Sequence, residues 1–335
     1  MDLTTSYLGL RLRNPLVAAA SPLSHTLDGI RRLDDAGVSA IVMHSLFEEQ
    51  LRERAASRAR LVNEPAESFP EALTYFPATI RDDPGPRQYL SVLERAAATA
   101  AVPIIASLNG VTAKGWTGYA RQLQDAGAAA IEVNVYHLPA SPHTPGSEVE
   151  QRHLDVLHRV KDAVSVPVAV KLSPYFSSPG DMARRLDDAG ADALVLFNRF
   201  LQPDIDPQQL AVVPRVSLSS QADARLPRTW IALLRGRIRA ALAATSGVET
   251  PGDAAAYLLA GADVVMTASA LLRHGPGHAA VLLDGLAAWM DSHGFTAPDQ
   301  FRGMLAGPPG ADPAAYQRAG YVSALRAANA ADGPW

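Results

Sequence analysis

Four times along this chain a helix-like stretch ends in Ala-Gly and gives way within a few residues to a short apolar run. The sites are Ala36-Gly37 before Ala40 to Met43, Ala126-Gly127 before Ala130 to Val133, Ala189-Gly190 before Ala193 to Phe197, and Ala260-Gly261 before Val264 to Met266. Glycine suits the position after a last helical turn, where the backbone often needs positive φ. A second signature, Val-Pro ahead of an apolar run, stands at Val102-Pro103 to Leu108 and Val166-Pro167 to Leu172. Proline opens a strand there, where its missing N–H costs least. With runs at Leu16 to Ala20 and Ala240 to Thr245, the chain offers eight candidate strands.

Amphipathic stretches lie between them, among them Arg87 to Thr99, Gly115 to Ala126, Val149 to Val164 and Pro179 to Ala189. Two helix starts match, Ser178-Pro179-Gly180-Asp181 and Thr250-Pro251-Gly252-Asp253; each offers a hydroxyl N-cap, Pro at the first helical position and an acid in the first turn. Continuous apolar strands alternating with helices mean parallel β-structure covered on both faces. Eight such units predict an α/β fold, a single (β/α)8 TIM barrel, rather than an open doubly wound sheet. Residues 1–335 are expected to form one domain, with a C-terminal helical extension over about 295–335 packed around Ala314 to Ala328.

Two segments break the period. Glu48 to Pro86, after the second strand, is an extended loop with a charged helical piece followed by Phe69, Tyr75 and Phe76. His137 to Ser147, after the fourth, carries Pro139, Pro142, Pro145 and Gly146 with two histidines. Both would emerge at the strand C-terminal face, where barrel enzymes keep their active sites.

Composition removes whole classes of function. The 335 residues include no Cys, which excludes disulfides, thiolate nucleophiles, Cys-ligated zinc and an iron–sulfur cluster held by this chain alone. Thirty basic against 34 acidic residues argue against a nucleic-acid surface. No run approaches the roughly 20 apolar residues of a membrane span and Met1 to Arg13 has no apolar core, so a soluble, cytoplasmic protein is expected. No His/Asp/Glu cluster has ligand spacing, so no metal is expected.

Barrels that bind phosphorylated ligands do so at the loops after the last two strands, here Thr245-Ser246-Gly247-Val248 and Thr267-Ala268-Ser269-Ala270. Small residues and hydroxyls suit a phosphate cradle; they equally let helices approach strands. Lys171 ends the fifth strand and is either a solvated strand end or a charge over a ligand, the barrel geometry favouring the second. Asn134 and Asn198 end the fourth and sixth strands; each alone reads as a turn residue, but together with Lys171 they favour a site. His137 and His143 read first as solvated loop residues, although an imidazole near its ordinary pKa is a competent base. Glu48, Glu49 and Arg52 read as a helix face.

Together, Asn14-Pro15 with Ala20-Ser21, Glu132-Val133-Asn134, Val170 to Phe176, Phe197-Asn198, Ser246 to Thr250 with Asp253-Ala254, and Ala260 to Ala262 running to Ala270-Leu271 and Gly275-Pro276 resemble dihydroorotate dehydrogenases. The likeness is closest to the dihydroorotate dehydrogenase-like proteins and covers about residues 1 to 290. It implies a barrel holding FMN at its strand C-terminal face, a role in pyrimidine biosynthesis, and a flavoprotein oxidoreductase acting on CH–CH donors. By resemblance, Lys171 sits near the flavin N1/O2 edge, where it stabilises the negative charge of reduced flavin. Asn109, Asn134 and Asn198 line the ring and substrate side, Ala20, Ser21 and Ser45 contact the ring, and Ser246, Gly247, Ala268 and Ser269 hold the phosphate. The family reaction takes a proton from substrate C5 and a hydride from C6 to flavin N5.

The sequence departs from the family where the substrate is gripped. His137 and Pro139 stand where family members place a Cys or Ser base and an Asn; His44 replaces a Lys; and Glu67 to Leu73 lacks the usual Asn-x-x-Gly-Leu. The leading reading is an FMN-dependent oxidoreductase of dihydroorotate or a related cyclic amide, with His137 as base and Lys171 as electrostatic partner. One alternative is a catalytically altered flavin-binding protein; another is a phosphate-binding aldolase barrel with Lys171 as a Schiff-base lysine. The family's extra N-terminal helix for membrane quinones is not seen before Leu3, so a soluble acceptor is expected, with a separate electron-transfer protein as one form of it. Homo-oligomerisation is expected from the family.

Overall fold

A computed structural model describes residues 1–48, 85–110, 116–200, 203–213, 217–308, 310 and 312–332. Eight parallel strands close a barrel: β3 (Leu16–Ala18), β4 (Ala40–Phe47), β5 (Ile104–Asn109), β6 (Ala130–Asn134), β7 (Val168–Leu172), β8 (Ala193–Leu196), β11 (Ala241–Ala244) and β12 (Val264–Thr267), which pairs back onto β3. These are the eight candidate runs read from the sequence, four of them marked by the Ala-Gly repeat. Two antiparallel hairpins accompany them, β1 (Thr5–Tyr7) with β2 (Leu10–Leu12) and β9 (Asp204–Asp206) with β10 (Ala211–Val213).

The repeat works as its chemistry requires. Gly37, Gly127, Gly190 and Gly261 have φ of +97°, +92°, +88° and +116°. At Gly261 space matters as well as φ, since a Cβ would stand 2.6 Å from Arg235 Cγ. Pro103 and Pro167 lead into β5 and β7, and their carbonyls accept from Ile41 and Ile131 N–H at 3.1 and 2.9 Å. Both prolines thus contribute an acceptor where no donor is needed.

Helices cover the barrel: α1 (Leu27–Asp35), α2 (Gly85–Thr99), α3 (Trp116–Asp125), α4 (Gly146–Ala163), α5 (Pro179–Asp188), α6 (Arg225–Leu234), α7 (Pro251–Ala260), α8 (Ser269–His274) and α9 (His278–Ser292). Inside the barrel, Ala40, Ala130, Ala169, Ala193 and Ala243 are fully buried. These methyl-sized positions leave room for Tyr7, Leu8 and Leu12 of the N-terminal hairpin, which join the same apolar cluster. The interior is therefore filled partly from below rather than by strand side chains alone.

Two expectations need correction. Thr250 caps α7 in a reciprocal capping box with Asp253, but Ser178 makes no side-chain cap bond at α5. Asp181 is engaged instead by Arg184 at 2.8 Å, so the matching tetrapeptides do different work. The C-terminal helix, α10 (Pro313–Asp332), exists, but its side chains from 317 to 327 are exposed rather than packed. Residues 49–84, with Glu49, Arg52, Phe69, Tyr75, Phe76 and the Glu67 to Leu73 stretch, lie outside the described residues, as does the body of the expected loop after the second barrel strand. Among the described residues no helix is long and apolar enough to cross a membrane, and no group of three or more His, Cys, Asp or Glu could hold a metal.

Candidate active site

The strand ends make the site by register. Asn109 on β5 pairs with Asn134 on β6, and Asn134 with Lys171 on β7. Because side chains alternate along a strand, Glu132 shares the inward face with Ala130 and Asn134. Glu132 Oε1 stands 3.6 Å from Lys171 Nζ, the two side chains being 2% and 11% exposed. Asn198, just beyond β8, donates from Nδ2 to Asn134 Oδ1 at 2.9 Å.

A cavity of about 210 Å³ opens at this strand C-terminal end. Ala20, Ser21, Lys171, Asn198, Ser246, Gly247, Ala268 and Ser269 all line it, joined by Phe197, Arg199, Ser219 and Thr245. Eight of the sequence-predicted residues are thus brought to one concavity. Ser45, Asn109, Asn134 and His137 are not part of its lining. Ser45 exchanges a hydroxyl bond with Ser107 at 2.9 Å, and Asn109 and Asn134 are buried.

In the same cavity lining, the loop after β11 turns through two left-handed residues, Ser246 at φ +79° and Gly247 at +68°. Consecutive N–H groups in such a turn form a concavity suited to an anion. Gly247 is obligatory on space alone: a Cβ would lie 2.6 Å from the Ser220 carbonyl and 2.7 Å from Ala224 N. The Tyr257 hydroxyl, buried and pushed up in pKa mainly by burial, donates to Ser246 O at 2.6 Å and steadies the turn. The Ser219 hydroxyl accepts from Gly247 N–H at 3.2 Å and meets Ser269 Oγ at 2.9 Å. Small hydroxyls, a glycine turn and a lysine lining one cavity together fit a ligand that carries both a phosphate and a charge-accepting group.

His137 stands half-buried in the loop after β6. Burial lowers its pKa first and Arg152 adds to this, with Glu148 opposing. Its neighbour His153 is more deeply buried, donates from Nδ1 to Val149 O at 2.8 Å, and is likewise lowered. His143 is exposed. His44 packs against His25 and Tyr89, with ring centroids at 3.9 and 4.8 Å, and Nδ1 lies 3.3 Å from Ser24 O.

Sequence reasoning did not assign Glu132 or Ser219 to the site. Glu132 was findable from period-two alternation, as a charge on the inward face of an apolar strand. Ser219 lies in an irregular stretch and meets Ser269, 50 residues on, through tertiary structure alone. A 280 Å³ annex shares Phe197, Asn198, Arg199 and Ser246 with the cavity and adds Tyr175 and Phe200. Phe200 also contacts Tyr136 and Tyr175, with ring centroids at 4.4 and 5.7 Å.

A family model described as dihydroorotate dehydrogenase matches residues 2–290. The catalytic subunit of dihydroorotate dehydrogenase B (NAD(+)) from Thermoplasma acidophilum is 27% identical over 304 residues, which cover 88% of this chain and 95% of that protein. The putative dihydroorotate dehydrogenase A (fumarate) of Aeropyrum pernix is 26% identical, over 88% of this chain and 94% of that one. The NAD-dependent dihydropyrimidine dehydrogenase subunit PreA of Escherichia coli is 23% identical, over 90% and 76%.

Proposed function

This chain belongs to the dihydroorotate dehydrogenase family, of flavin-dependent oxidoreductases acting on CH–CH donors, and from that premise we propose that it binds FMN and oxidises dihydroorotate or a related cyclic amide. The observation that carries the reading is one cavity at the strand C-terminal end lined both by Lys171 and by the Ser246-Gly247 turn. Bound there, FMN would supply the hydride acceptor. Ser246, Gly247, Ala268 and Ser269 would hold its phosphate, Ala20, Ser21 and Ser45 would flank the ring, and Asn109, Asn134 and Asn198 would shape the substrate side. Lys171 would favour negative charge at the pyrimidine edge of the ring. The aldolase reading of Lys171 falls with membership of an oxidoreductase family.

His137 is the proposed proton acceptor. Its lowered pKa leaves the ring neutral at neutral pH, as a base requires. The chain is read as one FMN-binding domain over residues 1–335, cytoplasmic and self-associating. Its electron acceptor is read as soluble; relatives named as catalytic subunits support a separate electron-transfer partner. His137→Ala should retain FMN and slow anaerobic flavin reduction by dihydroorotate about 100-fold or more. In the parent protein that rate should fall as pH drops through a pKa below the ordinary value of about 6.5. An unchanged reductive rate in His137→Ala would remove His137 from the mechanism.

One observation favours a second reading. His137 is not part of the cavity lining. That suits a flavin-binding protein whose substrate chemistry is altered. Yellow protein that dihydroorotate does not bleach under anaerobic conditions would establish it.

A further inference from the structure

Two buried polar atoms inside the barrel have no hydrogen-bond partner among the described residues: the Tyr7 hydroxyl and Glu132 Oε1. Burial raises the pKa of Tyr7 well above the phenolic range, and the charges of Glu132 and Asp263 raise it further. The barrel interior thus holds a buried carboxylate with one oxygen, Glu132 Oε1, that no N–H or O–H of the described residues satisfies.

Its one ionic partner among the described residues is Lys171, at 3.6 Å, beyond hydrogen-bond range. Buried ion pairs of this kind are weak contributors to stability, because desolvation offsets the attraction. Lys171 also lines the cavity. What the cavity presents to a ligand is therefore the field of a lysine already opposed by a carboxylate behind it, not that of a free ammonium.

We propose that Glu132 is a positioning residue, holding the Lys171 ammonium at the cavity floor and limiting how strongly the site favours negative charge on its ligand. The proposal rests on the reading of that ligand as FMN. Two-electron reduction of bound flavin places negative charge at the edge Lys171 would face, so the Glu132–Lys171 pair would set the reduction potential. With the carboxylate removed, the full lysine charge acts on the ring and reduced flavin gains. With lysine removed, the buried carboxylate acts alone and reduced flavin loses.

The test is the midpoint potential of FMN-reconstituted protein against a reference dye at fixed pH, for the parent, Glu132→Gln, Glu132→Asp and Lys171→Gln. Glu132→Gln should shift the equilibrium toward reduced flavin by about tenfold or more, about 30 mV for a two-electron couple. Glu132→Asp should shift it the same way by less, and Lys171→Gln the opposite way. A purely structural role would lower thermal stability without moving the potential. Glu132→Gln that binds FMN at the parent potential overturns the proposal. If Glu132→Gln does not fold, an unchanged potential in Glu132→Asp overturns it equally. Parent protein that binds no FMN instead defeats the cofactor reading, a result distinct from either.

Discussion

Ser246 and Gly247 are neighbours with the same sign of φ and opposite tolerance for a side chain. Ser246 accepts the left-handed backbone because its hydroxyl reaches Phe197 O at 3.3 Å and Tyr257 grips its carbonyl. Gly247 has no such freedom, with Ser220 and Ala224 backbone atoms where a Cβ would go. Gly247→Ala should therefore combine a backbone cost of about 1–3 kcal/mol with displacement of the turn. Ser246→Gly should be neutral or mildly stabilising. Thermal melts and FMN titration check both: Gly247→Ala with parental affinity would mean that the turn holds no phosphate. The importance of Gly247 was legible in the small-residue loop; that Ser220 and Ala224 enforce it was not, because they lie more than 20 residues earlier in the chain.

At the scale of elements, two starts alike in sequence separate cleanly. Thr250 Oγ1 accepts from Asp253 N–H at 3.3 Å and Asp253 Oδ2 accepts from Thr250 N–H at 2.9 Å. Ser178 closes no such box. Thr250→Ala should cost about 1 kcal/mol by denaturant titration, and Ser178→Ala no more than about 0.5 kcal/mol, the range of ordinary surface changes. Equal losses at the two sites would contradict the difference in capping. The tetrapeptides could not reveal this, since Asp253 is also held by Gln221 and Arg228 from the preceding helical segment, whereas Asp181 faces Arg184 of its own turn. The β9–β10 hairpin went unread for another reason: its Ile205 and Val212 are exposed, so burial pattern gives no strand signal there.

At the scale of the whole molecule, the barrel closes without α10. Side chains 317–327 of that helix are exposed, and Tyr321, Val322 and Leu325 stand among the exposed apolar residues. Deleting residues 313–335 should shift Tm by less than about 3 °C, the scale of a change under 1 kcal/mol in a chain of this size. A larger fall would show that the helix contributes to barrel stability. Sequence alone determined the barrel, because its devices are local: a glycine after a last turn, a proline before a strand and an apolar run buried on both faces each act within a few residues. It also determined most of the candidate cavity, because strand ends in a closed parallel barrel must share one mouth. Only tertiary structure decided which side chains meet there. Glu132 came to face Lys171 through the register of β6 and β7, Ser219 reached Ser269 across an irregular connection, and His137 stayed out of the cavity lining. Those outcomes depend on closure and loop packing between residues far apart in the chain, which no local pattern encodes.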